Sequence, residues 1–237
     1  MFEELSQYRH EYKYIENDVN MISIRSRMRA LMKRDSHTDE RGYYSIRSLY
    51  FDDYNDRFLR ENIDGVDERM KWRIRIYDRK SDFISLERKV RKSGLISKQS
   101  CAISLDDYYS VMAGRAEISS SNPPLFNLFI KDMRTSAVSP AMIVEYEREP
   151  FICSQGNTRV TFDRNIRSSS EVDALLSDRP LSSRPVMLAG QHLMEVKYDA
   201  FLPDYIAHAI EHGRMRQMTF SKYYLARKFP YNGLAKR

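Results

Sequence analysis

Polar and apolar residues alternate strictly along residues 70–77. Because successive side chains of a β-strand point to opposite faces, this segment predicts a strand with one cationic face and one apolar face. The cationic set is Lys71, Arg73 and Arg75, and the apolar set is Trp72, Ile74 and Ile76. For a single strand, the simplest interpretation is a half-exposed strand whose charges meet water. Recurrence of the pattern in other strands argues against that interpretation.

Strand-like alternation continues along most of the chain and is interrupted by segments with helical spacing or helix-capping residues. The predicted strands cover about residues 8–15, 43–52, 69–78, 83–90, 96–102, 142–149, 158–163 and 193–198. The predicted helices cover about residues 19–34, 55–62, 104–112, 122–135, 203–213 and 221–229. Ser104 and Asp107 resemble a capping box at the start of the third helix. No repeat and no compositional break divides the sequence, which favours one domain over residues 1–237.

Three of the predicted strands place a glutamate and a lysine two residues apart on one face. The pairs are Glu11 with Lys13, Glu87 with Lys89, and Glu195 with Lys197. Charges that met only water would not need this spacing in three separate strands. The pattern therefore predicts an α+β fold, a closed antiparallel β-barrel of about eight strands with a charged interior and helices packed on its apolar outside.

The cations of such an interior would repel one another, since two unit charges about 4 Å apart cost about 4 kcal/mol at an effective dielectric constant of about 20. An enclosed anion offsets this cost, and a phosphate chain supplies several negative charges in a line. Arg73 and Arg75 suit phosphate oxygens because a guanidinium group offers paired donors. The glutamates would then be oxygen ligands for Mg²⁺ or Mn²⁺. The sequence has no Gly-x-x-x-x-Gly-Lys-Ser/Thr motif, so a P-loop is not expected.

The overall charge of +6 favours anionic partners but does not distinguish nucleic acid, phosphate compounds and membrane surfaces. Cys101 and Cys153 have no metal-like spacing, and two cysteines do not make a disulfide framework. A reducing cytoplasm is therefore the expected location. Residues 1–4 do not begin a signal peptide, and no apolar run approaches the ~20 residues that span a bilayer, so no transmembrane segment is expected.

Eight short segments match the motifs of a known family in type and order. They are residues 9–14, 48–52, 71–75, 87–89, 145–148, 159–163, 195–197 and 221–223. On these segments the chain resembles the VTC (vacuolar transporter chaperone) domain, a polyphosphate polymerase branch of the triphosphate tunnel metalloenzymes. The related CYTH branch of adenylate cyclases and triphosphatases begins with Glu-x-Glu-x-Lys. Here Arg9 stands at the first glutamate position, which favours the VTC branch over a cyclase or thiamine triphosphatase.

The resemblance implies a closed antiparallel eight-stranded β-barrel tunnel that binds nucleoside triphosphate. It also implies transfer of the γ-phosphoryl group of ATP to a growing polyphosphate chain, with Mn²⁺ or Mg²⁺ as cofactor. The catalytic residues that it implies are Arg73, Arg75, Lys89, Arg148, Arg159 and Lys222. The expected substrate-binding residues are Lys13, Lys71, Lys98, Tyr146, Lys197 and Ser221. The expected metal ligands are Glu195, Glu11 and Glu87. ATP and polyphosphate are the expected partners and nucleic acid is not, while a membrane-protein or regulatory partner stays open.

Two other hypotheses remain at this point. The first is a hydrolase that cleaves triphosphates or polyphosphate in the same tunnel, because water can replace the phosphate acceptor. The second is a non-catalytic module that binds polyphosphate or another polyanion, with the basic helix predicted over residues 19–34 as a docking surface. Glu11, Glu87 and Glu195 argue against this second hypothesis, because a pure polyanion binder gains nothing from carboxylates in its groove.

Overall fold

The computed structural model describes residues 8–212, 215–219 and 221–228, which form a mixed α+β fold. The strands are β1 (His10–Asn17), β2 (Lys33–Arg34), β3 (Tyr44–Asp52), β4 (Arg69–Tyr77), β5 (Lys80–Lys92), β6 (Leu95–Ile103), β7 (Ser139–Cys153), β8 (Thr158–Ser169), β9 (Arg184–Pro185) and β10 (Gln191–Tyr198). The helices are α1 (Asp18–Leu31), α2 (Arg57–Ile63), α3 (Leu105–Met112), α4 (Pro124–Ser136), α5 (Asp204–Ile210) and α6 (Lys222–Lys228). The predicted α+β class is therefore confirmed.

The strands form one curled antiparallel sheet in the order β1-β10-β8-β7-β3-β4-β5-β6, with β2 paired to β7 and β9 paired to β8. Neighbouring strands pair without crossing connections along β3-β4-β5-β6 and along β7-β8, while β10 inserts between β1 and β8. The right-handed twist of the strands curls such a sheet toward a barrel. The antiparallel pairing that the sequence predicted is confirmed.

The closed barrel that the sequence predicted is wrong, because the sheet is open between β1 and β6. In the described part of the chain these edges share one bridge, in which Arg9 and Ile96 exchange backbone hydrogen bonds of 2.8 and 3.0 Å. Further along β1, Tyr14 forms a bridge with Gln217, and the Met218 N–H donates to the Lys13 carbonyl at 2.9 Å. The segment at residues 217–218 therefore lies along this part of the β1 edge.

Apolar side chains on the outer face of the sheet pack beneath the helices. One cluster joins β3, β4 and β5 to α3 and α4, and includes Leu49, Trp72, Ile74, Leu86, Phe126 and Phe129. A second joins β8 and β10 to α1 and α5, and includes Ile24, Met28, Phe162, Val196 and Ile206. On the inner face, α6 packs against residues that include Tyr50, Val144 and Tyr146. The strands thus bury apolar residues on the outside, which leaves the other parity facing inward.

Local side-chain chemistry explains where several helices begin and end. The predicted capping box is present at α3, where Ser104 Oγ accepts from the Asp107 N–H at 3.0 Å and Asp107 Oδ2 accepts from the Ser104 N–H at 3.0 Å. The Asn17 side chain caps α1 by accepting from the Asn20 N–H at 2.9 Å. The helix predicted to reach residue 34 ends at Leu31, because the following β2 pairs with β7.

No helix within residues 8–212, 215–219 and 221–228 combines the length and the apolar character that crossing a bilayer requires. The expected cytoplasmic location stays a prediction, as does the absence of a signal peptide, since residues 1–4 lie outside the described residues.

Trp72→Ala is expected to lower the free energy of unfolding by about 3–5 kcal/mol, the usual cost of truncating a fully buried aromatic residue. Trp72 is fully buried, contacts Phe129 at a ring distance of 5.0 Å and donates from Nε1 to Asp132 Oδ2 at 2.8 Å. Urea unfolding measures the effect, and Phe83→Ala on the exposed part of β5 is the control. Equal stabilities of the two variants would contradict this assignment of the core.

Candidate functional site

The inner face of the curled sheet surrounds a cavity of about 760 Å³. Among the described residues that line it, thirteen are lysines or arginines and two are glutamates. The cations are Arg9, Lys13, Arg69, Lys71, Arg73, Arg75, Lys89, Arg91, Lys98, Arg148, Arg159, Lys197 and Lys222, and the glutamates are Glu11 and Glu195. Because like charges repel strongly in a partly desolvated space, this arrangement favours binding of an anion with several charges.

Most of the residues that the sequence singled out lie at this cavity. The lining includes Lys13, Lys71, Arg73, Arg75, Lys89, Lys98, Arg148, Arg159, Lys197, Lys222, Ser221, Glu11 and Glu195. Tyr146 and Glu87 lie behind the lining, where Tyr146 Oη accepts from Arg75 Nη2 at 3.2 Å and Glu87 Oε2 accepts from Arg73 Nε at 2.7 Å. The chemical roles of all these residues stay predictions.

Arg73 and Arg75 of β4 are oriented by their neighbours on adjacent strands. Arg73 Nη2 lies 2.5 Å from Glu87 Oε2, and Arg75 Nη1 lies 3.8 Å from Glu87 Oε1. Tyr50 Oη accepts from Arg73 Nη1 at 3.2 Å, and Ser48 Oγ accepts from Arg75 Nε at 3.1 Å. Burial alone would raise the pKa of Glu87, but the two arginines hold it well below its usual value. The carboxylate therefore stays ionised and fixes both guanidinium groups.

Oppositely charged residues alternate on β1 and β10. Glu11 lies opposite Lys197 and Lys13 lies opposite Glu195 in the strand register. Glu11 accepts from Lys89 Nζ at 2.8 and 2.9 Å and lies 2.8 Å from Lys13 Nζ. Burial opposes ionisation of Glu11 and Glu195, yet the surrounding lysines hold the pKa of each carboxyl well below its usual value. Both glutamates are therefore charged at neutral pH.

Asp163 of β8 connects two of the cations, although the sequence did not single it out as a site residue. Arg148 donates to its carboxylate from Nε at 2.6 Å and from Nη2 at 2.7 Å, and Lys222 Nζ lies 2.6 Å away. Lys222 also donates to Glu195 at 2.8 Å. The available signal was the shared parity of Arg159 and Asp163, which placed the carboxylate on the charged face.

Helix α6 brings Ser221 and Lys222 to the cavity and is held there by Tyr223. Tyr223 Oη donates to Asp52 Oδ2 at 2.5 Å, and its ring stacks on that of Tyr50 with centroids 5.2 Å apart. Asp52 also accepts from the Phe58 and Leu59 N–H groups at the start of α2. Sequence reasoning missed this anchor because the hydroxyl and the carboxylate are 171 positions apart.

Two lysines of the cavity, Lys71 and Lys89, have pKa values below the usual value of a lysine. Lys71 Nζ donates to Ser221 Oγ at 2.7 Å, and burial together with Lys13 and Lys89 holds the pKa of Lys71 well below its usual value. Burial also lowers the pKa of Lys89 to about 7, despite the attraction of Glu11. An anion in the cavity would stabilise the protonated form of both lysines.

Binding of a triphosphate is therefore expected to take up protons at pH values between the pKa of Lys71 in the free protein and its higher pKa in the complex. The pKa of Lys71 is lowered by burial and by neighbouring cations in the free protein, and a bound anion raises it. Between the two pKa values Lys71 is neutral when free and protonated when bound, so affinity falls as pH rises. Calorimetry in buffers of different ionisation enthalpy measures the uptake, which Lys71→Met should reduce. Identical heats in all buffers would contradict this expectation.

Comparison with known proteins identifies the family. The family model of the VTC domain matches residues 8–231. The chain belongs to the VTC domain family. No curated protein sequence matches this VTC domain.

Among solved structures, this VTC domain is similar to a Hippeastrum protein named as an adenylyl cyclase and described as having a dominant triphosphatase activity. The two share 11% identity at a TM-score of 0.53, over 93% of this chain and 95% of that one, which shows a common fold. An adenylate cyclase-like protein of Bacillus halodurans gives 12% identity and a TM-score of 0.48 over 86% of each chain.

The VTC domain has carboxylates suited to a divalent cation at the cavity wall. Glu11 and Glu195 are ionised, and carboxylate oxygens are the ligands that Mg²⁺ prefers. No group of three His, Cys, Asp or Glu side chains within the described ranges is arranged to hold a metal ion. A metal at Glu11 and Glu195 would therefore take further ligands from substrate phosphates and water, as Mg²⁺ commonly does. The expected role of Glu87 as a metal ligand stays a prediction, and in the structure its carboxylate forms an ion pair with Arg73.

Proposed function

We propose that this VTC domain is a metal-dependent polyphosphate polymerase that transfers the γ-phosphoryl group of ATP to a growing polyphosphate chain. The observation that carries the proposal is the excess of cations over carboxylates around one cavity on the inner face of the sheet. A linear phosphate chain matches this distribution, since it presents negative charge along its whole length. The family match and the continuous sheet support one such domain over residues 1–237.

In the proposed reaction, a terminal oxygen of the acceptor chain forms a bond to the γ-phosphorus of ATP. The bond from that phosphorus to the β,γ-bridging oxygen breaks, and ADP leaves with the electron pair. Arg73, Arg75 and Arg148 would bind phosphate oxygens in fixed orientations, and Lys222 would offset the charge that builds up on them. The reaction needs no covalent intermediate on the protein. Mg²⁺ or Mn²⁺ held at Glu11 and Glu195 would supply further neutralisation of the phosphate charge.

The second candidate is a triphosphatase, in which water replaces the acceptor chain. The dominant triphosphatase activity of the Hippeastrum protein, which has the same fold, supports this candidate. Both reactions would use the same arginines and lysines, so the residues at the cavity do not separate them. A non-catalytic polyphosphate-binding module is less well supported, because Glu11 and Glu195 point into the cavity, where they would weaken pure polyanion binding.

Product analysis distinguishes the three functions. Incubation with ATP labelled at the γ-phosphate and with Mn²⁺ is expected to give ADP and long labelled polymer, and chelation of the metal should stop both products. ADP with free phosphate as the other product would instead identify a triphosphatase. Retention of ATP on the protein without any product would identify a binding module.

A further inference from the structure

Inward-facing cations follow β4 from Arg69 to Arg75 at every second position. At about 3.3 Å per residue, this row is about 20 Å long. Arg73 and Arg75 at one end share the carboxylate of Glu87, at 2.5 and 3.8 Å. The protein itself therefore neutralises part of the charge at that end of the row.

The other end of the row faces further cations. In the strand register, Lys71 lies opposite Lys89 and Arg69 lies opposite Arg91. Lys89 is paired with Glu11 at 2.8 Å. Among the described residues, Lys71, Arg69 and Arg91 have no carboxylate in ion-pair contact. Positive charge is therefore least compensated at the Arg69 end of the row.

Arg69 and Arg91 form a like-charge pair across the two strands. Like charges directly opposite each other on adjacent strands destabilise a sheet unless something offsets them. The buried Nε atom of Arg91 has no hydrogen-bond partner in the described part of the chain. Arg69 donates from Nη1 to the Val66 carbonyl, and the acids Asp67 and Glu61 attract it through space without an ion pair. Both arginines line the cavity, so this corner presents two guanidinium groups that have no carboxylate in ion-pair contact among the described residues.

We propose that Arg69 and Arg91 form a second phosphate-binding subsite, which holds the part of a polyphosphate chain that extends beyond three phosphates bound at Arg73 and Arg75. The subsite lies about 13 Å from Arg73 along β4, four residues at strand spacing. Lys71, half-way between them, continues the positive charge from one position to the other. The inference rests on the proposed function only in taking a phosphate chain as the ligand.

Chain-length dependence of binding tests the subsite. The double variant Arg69→Gln/Arg91→Gln is compared with the wild type for binding of tripolyphosphate and of long-chain polyphosphate, each by calorimetry. We expect unchanged affinity for tripolyphosphate and about tenfold or greater weakening for the long chain, since charge-assisted hydrogen bonds to phosphate are lost. Arg115→Gln/Lys131→Gln removes the same charge from exposed positions outside the cavity and should leave both affinities unchanged.

Two results would overturn the subsite: equal weakening for both ligands, or no weakening for either. The double variant should fold, because it removes a like-charge contact, and circular dichroism together with the single variants checks this point. Turnover is not needed for the measurement. If the wild type makes no polymer but the double variant still binds long-chain polyphosphate more weakly than the wild type does, the polymerase is refuted and the subsite is retained. If the wild type makes polymer and the double variant binds the long chain as tightly as the wild type does, the subsite is refuted and the polymerase is retained.

Discussion

Glu195→Gln is expected to lower turnover of the triphosphate substrate by about 100-fold or more, the scale on which loss of one preorganised electrostatic contact acts. The Glu195 carboxylate accepts from Lys197 and Lys222 at 2.8 Å each and from Arg148 at 3.3 Å. A neutral amide keeps the shape of the side chain but no longer balances these cations. It also removes one of the two carboxylate ligands that we propose for the divalent cation.

The experiment needs a control that separates chemistry from folding. Glu147→Gln on β7 changes the same side chain outside the cavity, where Glu147 accepts from Arg164 Nε at 2.8 Å. This variant should keep wild-type turnover, since its contact pair is partly exposed and such pairs contribute little. Steady-state kinetics and thermal unfolding with and without tripolyphosphate are the measurements. Wild-type turnover in a folded Glu195→Gln protein would remove Glu195 from the proposed mechanism.

Arg73→Ala is expected to weaken triphosphate binding by about 10- to 100-fold, since a charge-assisted hydrogen bond contributes about 1.5–3 kcal/mol. The loss has a second part, because Glu87 is buried and would then lie beside the bound phosphates without its closest cation. Arg73→Lys should recover part of the affinity, as it restores the charge but not the paired donors.

Arg88→Ala is the matched control for Arg73→Ala. Arg88 lies opposite Trp72 in the same strand pair and packs over its ring at 5.7 Å, on the outer face of the sheet. Removal of this arginine takes away one positive charge without a change in the cavity lining. Titration of tripolyphosphate at constant ionic strength compares the two variants. If Arg73→Ala and Arg88→Ala bind tripolyphosphate with equal affinity, the effect of removing Arg73 comes from the change in net charge and not from a contact in the cavity.

The fold class follows from local information and was therefore predictable. Residues 69–78 alternate, and the structure has Lys71 and Arg73 at the cavity and Trp72 in the apolar cluster below α4. The capping box at Ser104 and Asp107 required only four consecutive residues. The alternation of a strand determines which face each side chain points to, and the three-residue spacing of a capping box brings its two side chains together at a helix start.

Features that depend on distant contacts were not predictable. At the open edge of the sheet, Arg9 bridges to Ile96 and Tyr14 bridges to Gln217, and no local sequence pattern predicts either contact. The anchor between Tyr223 and Asp52 joins two residues far apart in the chain. Residues 33 and 34 continue a helical stripe in sequence, yet they pair with β7, because tertiary pairing overrides a weak helical preference. Such contacts need the packed structure.

Because β4 is pleated, its alternate side chains serve two different purposes, packing of the core and lining of the cavity. Trp72 and Arg73 are adjacent in the chain, but one stabilises the packing beneath α4 and the other faces the cavity. Deletion of a single residue within β4 would turn each later side chain to the opposite face of the sheet. Charged side chains would then enter the apolar cluster, and apolar side chains would face the cavity. Changes in chain length during evolution should therefore accumulate in the loops at residues 35–43 and 175–183, while the strands keep a constant length.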